Sequence, residues 1–309
     1  MDANELDFEP VTEEDCSTIV SYLKRAGIEE SNHNIVNFYQ WRRQYPLWKC
    51  IGDDYMLLLG IHKGTLFMYM PLCAPDQFQK AILKGKEIFS QANVRFELSC
   101  FTIEGVQRTL EVLPETQFVK ERDAYDYVYD AEKLRTYSGK KLQKRRNHIN
   151  AFQLEYHGRY TYEVIDESNL EEVKAFLYSW KEDEAHDEYF TYEKQGSMDI
   201  LDLYGKIPWE GGLIRIDGAV KAFVIGSMTS DRMVQINIEK ADDSIRGLYQ
   251  VVEKEFLNRH FLHATLVNRE DDMGNEHLRA AKMALNPLLF IEKYRLRETH
   301  ETLQSIGYR

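Results

Sequence analysis

The chain has 309 residues, with 39 Lys+Arg against 51 Asp+Glu, for a formal charge of −12. At roughly 150 residues per domain this length suits two domains with full hydrophobic cores. The charge repels nucleic acid and anionic lipid on average, so any site for a polyanion must be a local basic patch. The uncharged stretch at 64–75 is twelve residues, short of the roughly 20 apolar residues of a membrane-spanning helix. Residues 1–5 are acidic and lack the apolar run of a secretory leader. Cys16, Cys50, Cys73 and Cys100 are widely spaced without a CxxC pair. They read as core thiols of a cytoplasmic protein rather than a disulfide framework or zinc site.

In chain order, Thr12 and Asp15 open a helix ending near Gly27, and a second helix follows at 34–44. Three strands are expected at 47–51, 55–61 and 66–72, joined by turns at Gly52-Asp53-Asp54 and His62-Lys63-Gly64. A helix at 75–91, a strand at 94–100, a helix at 103–112 and strands at 118–120 and 125–129 complete this half. The second half opens with a strand at 160–165. Ser168 and Glu171 form a capping box, and Leu170, Val173, Leu177 and Trp180 give the helix its apolar stripe. A helix at 192–204 and strands at 212–216, 219–228 and 233–240 follow, with Asp217-Gly218 as a hairpin turn. A helix with Leu248, Val252 and Phe256 inward precedes a strand at 264–267. A helix at 275–285, stopped by Pro287, and a strand at 288–294 end the pattern. Both halves read αα-βββ-α-β-α-β, which is the element order of GNAT acyltransferases.

Three constellations carry candidate chemistry. Between the halves lies a basic run of Lys133, Arg135, Lys140, Lys141, Lys144, Arg145 and Arg146, with no acid between Glu132 and Glu155. Leu142, Ile149 and Phe152 share one helical face, so Arg145 and Arg146 are expected to meet a carboxylate or a ligand phosphate, because an unpaired buried charge is costly. A solvated basic helix is the competing reading. The turn after the third strand of the second half, Ser244-Ile245-Arg246-Gly247-Leu248-Tyr249, is where a GNAT helix N-terminus would receive pyrophosphate. Arg246 and Gly247 are the candidates there. Ser244 and Tyr249 depart from the usual Gln/Arg-x-x-Gly-x-Gly/Ala pattern, and Tyr249 would crowd a close approach. The third is Asn268-Arg269-Glu270-Asp271-Asp272-Met273-Gly274-Asn275-Glu276. Glu270 and Asp271, at a strand's carboxyl end, are placed to hold a substrate amine or act as general base. Asp272 and Asn275 suit ordinary caps. Glu239 and Lys240 end the central strand and alternate to opposite faces, so at most one faces the site. His148 and His263 have no spacing partner and read as structural. The acidic run 182–188, with His186, reads as a solvated helix end, and no metal site is expected.

Gly139-Lys140-Lys141-Leu142 and Lys144-Arg145-Arg146-Asn147-His148-Ile149-Asn150, with Phe152, resemble the basic helix of the family named for the C-terminal domain of bacterial phosphatidylglycerol lysyltransferases. Ala222-Phe223, Glu239-Lys240-Ala241-Asp242, Gly247, Asn268 to Gly274, Leu278-Arg279, Lys282 and Pro287 resemble its later motifs, in order. The resemblance is dense over 133–295. It implies an α/β (α+β) protein of two tandem GNAT-like acyltransferase domains, each a mixed central sheet flanked by helices, related to Fem-type aminoacyltransferases. The divisions expected are 1–130, a basic connecting helix at 131–155, and 156–309 carrying the site. The implied activity is acyl or aminoacyl transfer from acyl-CoA or aminoacyl-tRNA to a lipid headgroup, a small amine or a hydroxyl. Glu239, Glu270 and Asp271 would be catalytic. Lys144, Arg145, Arg146, Asn268 and Lys240 would hold substrate or phosphate, and the basic helix would meet tRNA or a phospholipid headgroup. The family's multi-pass membrane portion is not in this sequence. The alternative is a non-catalytic ligand-binding protein that retains the fold.

Overall fold

A computed structural model describes residues 8–62, 64–180 and 188–298. In chain order the elements are β1 (Glu9–Pro10), α1 (Cys16–Ala26), α2 (Ile35–Gln40), β2 (Leu47–Ile51), β3 (Tyr55–His62), β4 (Thr65–Tyr69), β5 (Leu72–Cys73), α3 (Phe78–Gln91), β6 (Glu97–Phe101), α4 (Ile103–Val112) and β7 (Gln117–Lys120). Then come β8 (Asp126–Asp130), α5 (Ala131–Thr136), α6 (Gln143–Glu155), β9 (Tyr160–Val164), α7 (Leu170–Ser179), α8 (Glu188–Asp202), β10 (Glu210–Ile216), β11 (Ala219–Met228) and β12 (Met233–Ala241). The last are α9 (Leu248–His260), β13 (Leu266–Asn268), α10 (Glu276–Met283), β14 (Leu289–Ile291) and β15 (Tyr294–Arg297).

The chain divides into two units. One joins the chain up to Tyr125 with the segment from Ile291; the other is Asp126–Phe290. The first sheet runs β1-β2-β3-β4-β6-β15-β7, with β5 beside β3, and the second runs β14-β8-β13-β12-β11-β10-β9. Each has one parallel pair at its centre, β4 with β6 and β12 with β13. Both sheets therefore have a last strand inserted between the fifth and sixth, but that strand comes from the other half of the sequence. β8, read above as the end of the first half, pairs antiparallel with β13. β15 pairs with β6 and β7 in the first unit. Tyr127, Val128 and Tyr129 are buried, as an inner strand covered on both faces requires.

Local chemistry sets most helix ends. Asn34 caps α2 through the amides of Val36 and Asn37, at 2.9 and 3.4 Å. Gly27 closes α1 in the left-handed conformation, with φ of 61°. The capping box expected at Ser168 and Glu171 does not form. Asp166 accepts from the amide and hydroxyl of Ser168, Asn169 closes the same turn, and α7 starts at Leu170. The second core packs α5, α6 and α9 on one sheet face, with Leu142, Ile149, Phe152, Leu248, Val252 and Phe256 among its buried residues. None of the four cysteines is in a disulfide. Among the described residues, no helix is long and apolar enough to cross a membrane. The acidic run 182–187 lies outside the described residues.

Candidate functional site

The site is built where the second unit's parallel strands part. Register between β12 and β13 ends at Gln235 opposite Asn268. β12 then runs six residues further, through an irregularity that pairs Ile225 with Ile238 and Gly226 with Ile236, leaving Asn237 as an extra residue. Val234 and Ile236 face the core beneath α9. The bulge shifts the alternation, so Glu239 also points to the α9 face.

Arg269, the first residue after β13, fills the gap on that face. Its guanidinium pairs with Glu239 and with Glu253 of α9, the latter at 2.7 Å. Glu253 also accepts from the Tyr137 hydroxyl at 2.6 Å. Burial would strip charge from Arg269, but Glu239 and Glu253 outweigh it and raise the guanidinium above its ordinary range. Glu239 goes the other way. Burial, helped by the negative charge of Glu253, pushes it up to about 7 against the pull of Arg269 and Lys240. Its Oε1 is buried and has no hydrogen-bond partner among the described residues. A carboxylate with one arm tied and the other bare, titrating near neutrality, is equipped to take a proton.

Glu270 lies on the opposite side of the strand pair. It sits at φ of 60°, and its Oε1 accepts from Gln235 Nε2 at 2.7 Å. Asn268 is buried; its amide donates to Asp126 at 3.0 Å, and its oxygen accepts from the Glu270 amide at 2.8 Å. Asp271 accepts from the Met273 amide at 3.2 Å. The turn is pinned from below by Lys282 of α10. Its ammonium donates to the carbonyls of Arg269, at 2.5 Å, and Asp271. Burial lowers Lys282 to about 8, although Glu270 and Asp271 oppose this. Asp272, expected as a cap, is instead a buried partner of Arg279 and Tyr127, and Asn275 takes the cap position of α10. Burial pushes Asp272 up, but Arg279 at 2.7 and 2.8 Å, Tyr127 at 2.5 Å and the Gly274 amide at 2.9 Å hold it well below the usual carboxylate range. Asn275 caps α10 through the Leu278 amide at 3.0 Å.

The structure thus brings Asn268, Glu270 and Asp271 together and links Glu239 to them through Arg269. Lys240 is on the other face from Glu239, paired with Glu193 and lying 4.5 Å from the Trp180 ring centroid. Glu253, Tyr137 and Gln235 were not singled out from sequence, and Arg269 and Lys282 entered there only as members of motifs, without a role. The signal for Glu253 is an acid beside the inward stripe of Leu248, Val252 and Phe256. Arg269 is the cation that such an acid needs.

The basic run separates into two kinds of residue. Arg135 donates to the carbonyls of Phe261 and Ala264, both at 3.1 Å. Arg146 donates to those of Tyr137 at 2.6 Å and Gly139 at 3.2 Å. Arg146 therefore meets backbone carbonyls just past the end of α5, where the helix dipole is negative, instead of the carboxylate or anion expected. Lys144, Arg145 and Arg246 converge on His148, whose pKa is lowered first by burial and then by these three charges. Gly247 has a packing reason to be glycine. Its φ is 89°, and a Cβ there would lie 2.4 Å from the His148 carbonyl oxygen of α6. Asp242 takes the amide of Ser244 at 3.1 Å and pairs with Lys221 at 3.1 Å. With Asp243 and Ser244 it borders a cavity of about 670 Å³ whose other walls include Phe176, Trp180 and Lys221. Among the described residues, no group of three or more His, Cys, Asp or Glu side chains is arranged to hold a metal.

Two mixed sheets flanked by helices, each with a central parallel pair and an inserted last strand, make up a fold shared with FemX at 10% identity and a TM-score of 0.63, over 97% of this chain and 99% of that one. The chain belongs to the family of phosphatidylglycerol lysyltransferase C-terminal domains, which it matches over residues 24–297. A conserved protein of unknown function from Bacteroides thetaiotaomicron is similar at 26% identity and a TM-score of 0.89, covering 95% of this chain and all of the other. L-PGS from Bacillus licheniformis shares the fold at 14% identity and a TM-score of 0.65, over 95% of this chain and 97% of that one. An uncharacterized protein from Mycoplasmoides gallisepticum is 28% identical over 180 residues, 55% of this chain and 54% of its own length. The match to this curated relative therefore spans about half of that protein.

Proposed function

We propose that the second unit transfers an acyl or aminoacyl group to an amine or hydroxyl acceptor, with aminoacyl-tRNA as donor. The observation that carries this reading is Glu239, buried beside Arg269 with Oε1 unpartnered and a pKa near 7. In the reaction, the acceptor's nitrogen or oxygen attacks the donor carbonyl carbon while its proton passes to Glu239. The tetrahedral oxyanion is held by backbone N–H at the β12 irregularity around Asn237. Collapse breaks the ester bond, and the departing hydroxyl of the donor takes back the proton. Glu270 and Asp271 hold the ammonium of the donor or acceptor, and Lys282 positions their turn. Lys144, Arg145 and Arg246 face the donor's phosphates. The carboxylates of Asp242 and Asp243 and the His148 carbonyl packed over Gly247 favour aminoacyl-tRNA over acyl-CoA, because they oppose a pyrophosphate at that loop. The match to phosphatidylglycerol lysyltransferase C-terminal domains supports phospholipid headgroups as candidate acceptors.

A second reading, a ligand-binding protein without turnover, draws on Glu239 Oε2 being already committed to Arg269. The test is single-turnover transfer from labelled aminoacyl-tRNA to phosphatidylglycerol vesicles or to hydroxylamine, with an acyl-CoA panel in parallel. Glu239→Gln is expected to lose about 100-fold or more in rate, the usual scale for a general base, and to melt lower because it removes one partner of Arg269, so the rate is compared at a temperature where the variant is fully folded. Equal turnover by Glu239→Gln would remove Glu239 from the mechanism. Binding of charged tRNA with no turnover to any acceptor would favour the second reading.

A further inference from the structure

The strands that end the two sheets are β1 and β7 in the first and β14 and β9 in the second. An edge strand offers a row of unpaired backbone groups to any chain that can add to it, and short length, proline and charge discourage such pairing. β1 has two residues and ends in Pro10, β14 has three and follows Pro287, and β9 carries Glu163. β7 has four residues, all exposed, with no proline and an unbroken register against β15. Its one charge is drawn back over the sheet. Lys120 Nζ donates to Glu292 at 2.8 Å and lies 5.7 Å from the Tyr294 ring centroid. The Glu121 amide donates to the Lys293 carbonyl at 2.9 Å, so Glu121, Val119 and Gln117 take the hydrogen-bonded positions against β15. The N–H and C=O of Phe118 and Lys120 therefore point outward from the sheet. On the core face, buried Tyr294 and Leu296 of β15 lead outward to Phe118, which is 50% exposed, and on the other face Val119 is 55% exposed.

We propose that β7 is a self-association edge, closed by β7 of a second copy running antiparallel across a two-fold axis. The occupant follows from charge and register. In a chain of charge −12 this edge is locally neutral, with Lys120 paired to Glu292 at 2.8 Å and Glu121 to Arg295 at 2.7 Å. It therefore selects neither a basic nor an acidic partner and does not repel itself. A two-fold axis normal to the sheet keeps each side chain on its own face, so one residue of the strand must face its own counterpart. With Val119 at that position, Phe118 of one copy and Lys120 of the other exchange both backbone hydrogen bonds, and the axis repeats the exchange. The Val119 side chains then meet in a non-hydrogen-bonded pair, with about 4.5 Å between Cα atoms, and the two Phe118 rings are diagonal neighbours on the core face. Phe118 on the axis would instead oppose Glu115 to Glu121 and call on the Thr116 amide, which already donates to the Leu113 carbonyl at 3.1 Å. An edge this short makes a dimer that dissociates on dilution. The proposal is independent of the transfer reading, because β7 belongs to the first unit and association requires neither donor nor acceptor.

The experiment is sedimentation velocity of the full chain over a wide concentration range, without lipid or nucleic acid. The weight-average mass is expected to climb from one chain towards two as concentration rises. Val119→Lys and Val119→Glu should each stay monomeric at the highest concentration while melting like the parent, because Val119 is exposed. Mixing these two variants should restore association, since opposite charges then meet across the axis. Under mild oxidation Val119→Cys should form an interchain disulfide, whereas Gln117→Cys should not, because in this register Gln117 lies too far from its own counterpart. A chain that stays monomeric at every concentration, or a dimer that survives Val119→Lys, would overturn the proposal. So would charge variants that fail to associate on mixing, or a Gln117→Cys chain that crosslinks as readily as Val119→Cys.

Discussion

The two units put different chemistry at the same topological place. In the first, the carboxyl end of the parallel pair β4 and β6 is closed by Glu30, His33 and Lys293, all buried. Lys293 donates to Ser31 Oγ at 2.7 Å and Asn32 Oδ1 at 2.6 Å and lies 3.4 Å from Glu30. His33 pairs with Glu30 and donates from Nε2 to the Met70 carbonyl at 2.9 Å. Burial would raise Glu30, but His33 and Lys293 hold it below its ordinary value. In the second unit the ions are Glu239, Arg269 and Glu253, one carboxylate oxygen is bare, and Glu270 and Asp271 are half-buried at the rim. The first arrangement is saturated with partners and sealed, which suits a structural lock. The second keeps a buried carboxylate oxygen without a partner among the described residues behind a half-buried acidic rim, which suits a site.

The largest effect should come from breaking the lock. Lys293→Met leaves Glu30 and His33 buried with a missing partner, and such a loss typically costs about 3–5 kcal/mol. Chemical denaturation should show the first unit unfolding earlier. The double variant Glu30→Gln/Lys293→Met should recover part of that loss, since removing both charges is milder than orphaning one. Gly247→Ala comes next. It combines φ of 89° with a Cβ 2.4 Å from backbone, so a loss of about 1–3 kcal/mol is expected from strain at such positions, read as a lower melting temperature. Asn275→Ala should cost about 1 kcal/mol through loss of the α10 cap and spare transfer, whereas Asp271→Asn should melt normally and lose transfer or ligand affinity. If Asp271→Asn instead melts lower and transfers normally, Asp271 belongs with the caps. The smallest effect on folding should come from Lys144→Ala/Arg145→Ala, which leaves stability within about 0.5 kcal/mol but flattens the salt dependence of tRNA binding.

Hydrophobic runs and turn residues made the element order legible in both halves. They did not say which sheet would take β8 and β15, because the order of elements is the same whichever partner a strand chooses. The candidate turn was legible at Asn268 to Asp271 because acids clustered where a strand gives way to a helix. Its electrostatics were not, because they depend on Glu253 and Tyr137, brought in from α9 and the segment after α5. In the basic run, counting charges could not separate Arg135 and Arg146, which close helix and loop ends, from lysines that face water. Gly247 matched the donor loop in sequence, and only the packing of α6 against it revealed the second reason for a glycine there.

The pH dependence of single-turnover transfer tests the central contrast between a sealed first unit and a poised second one. Glu239 is raised in the fold, so its protonated form is favoured at low pH and its stabilising contribution is lost as pH rises through about 7. The same ionisation creates the base. The rate should therefore climb tenfold per pH unit below about 7 and level off above it, and Glu239→Gln should remove that limb. A wild-type rate that is flat from pH 5 to 8, or a limb that survives in Glu239→Gln, would contradict the assignment of the proton acceptor.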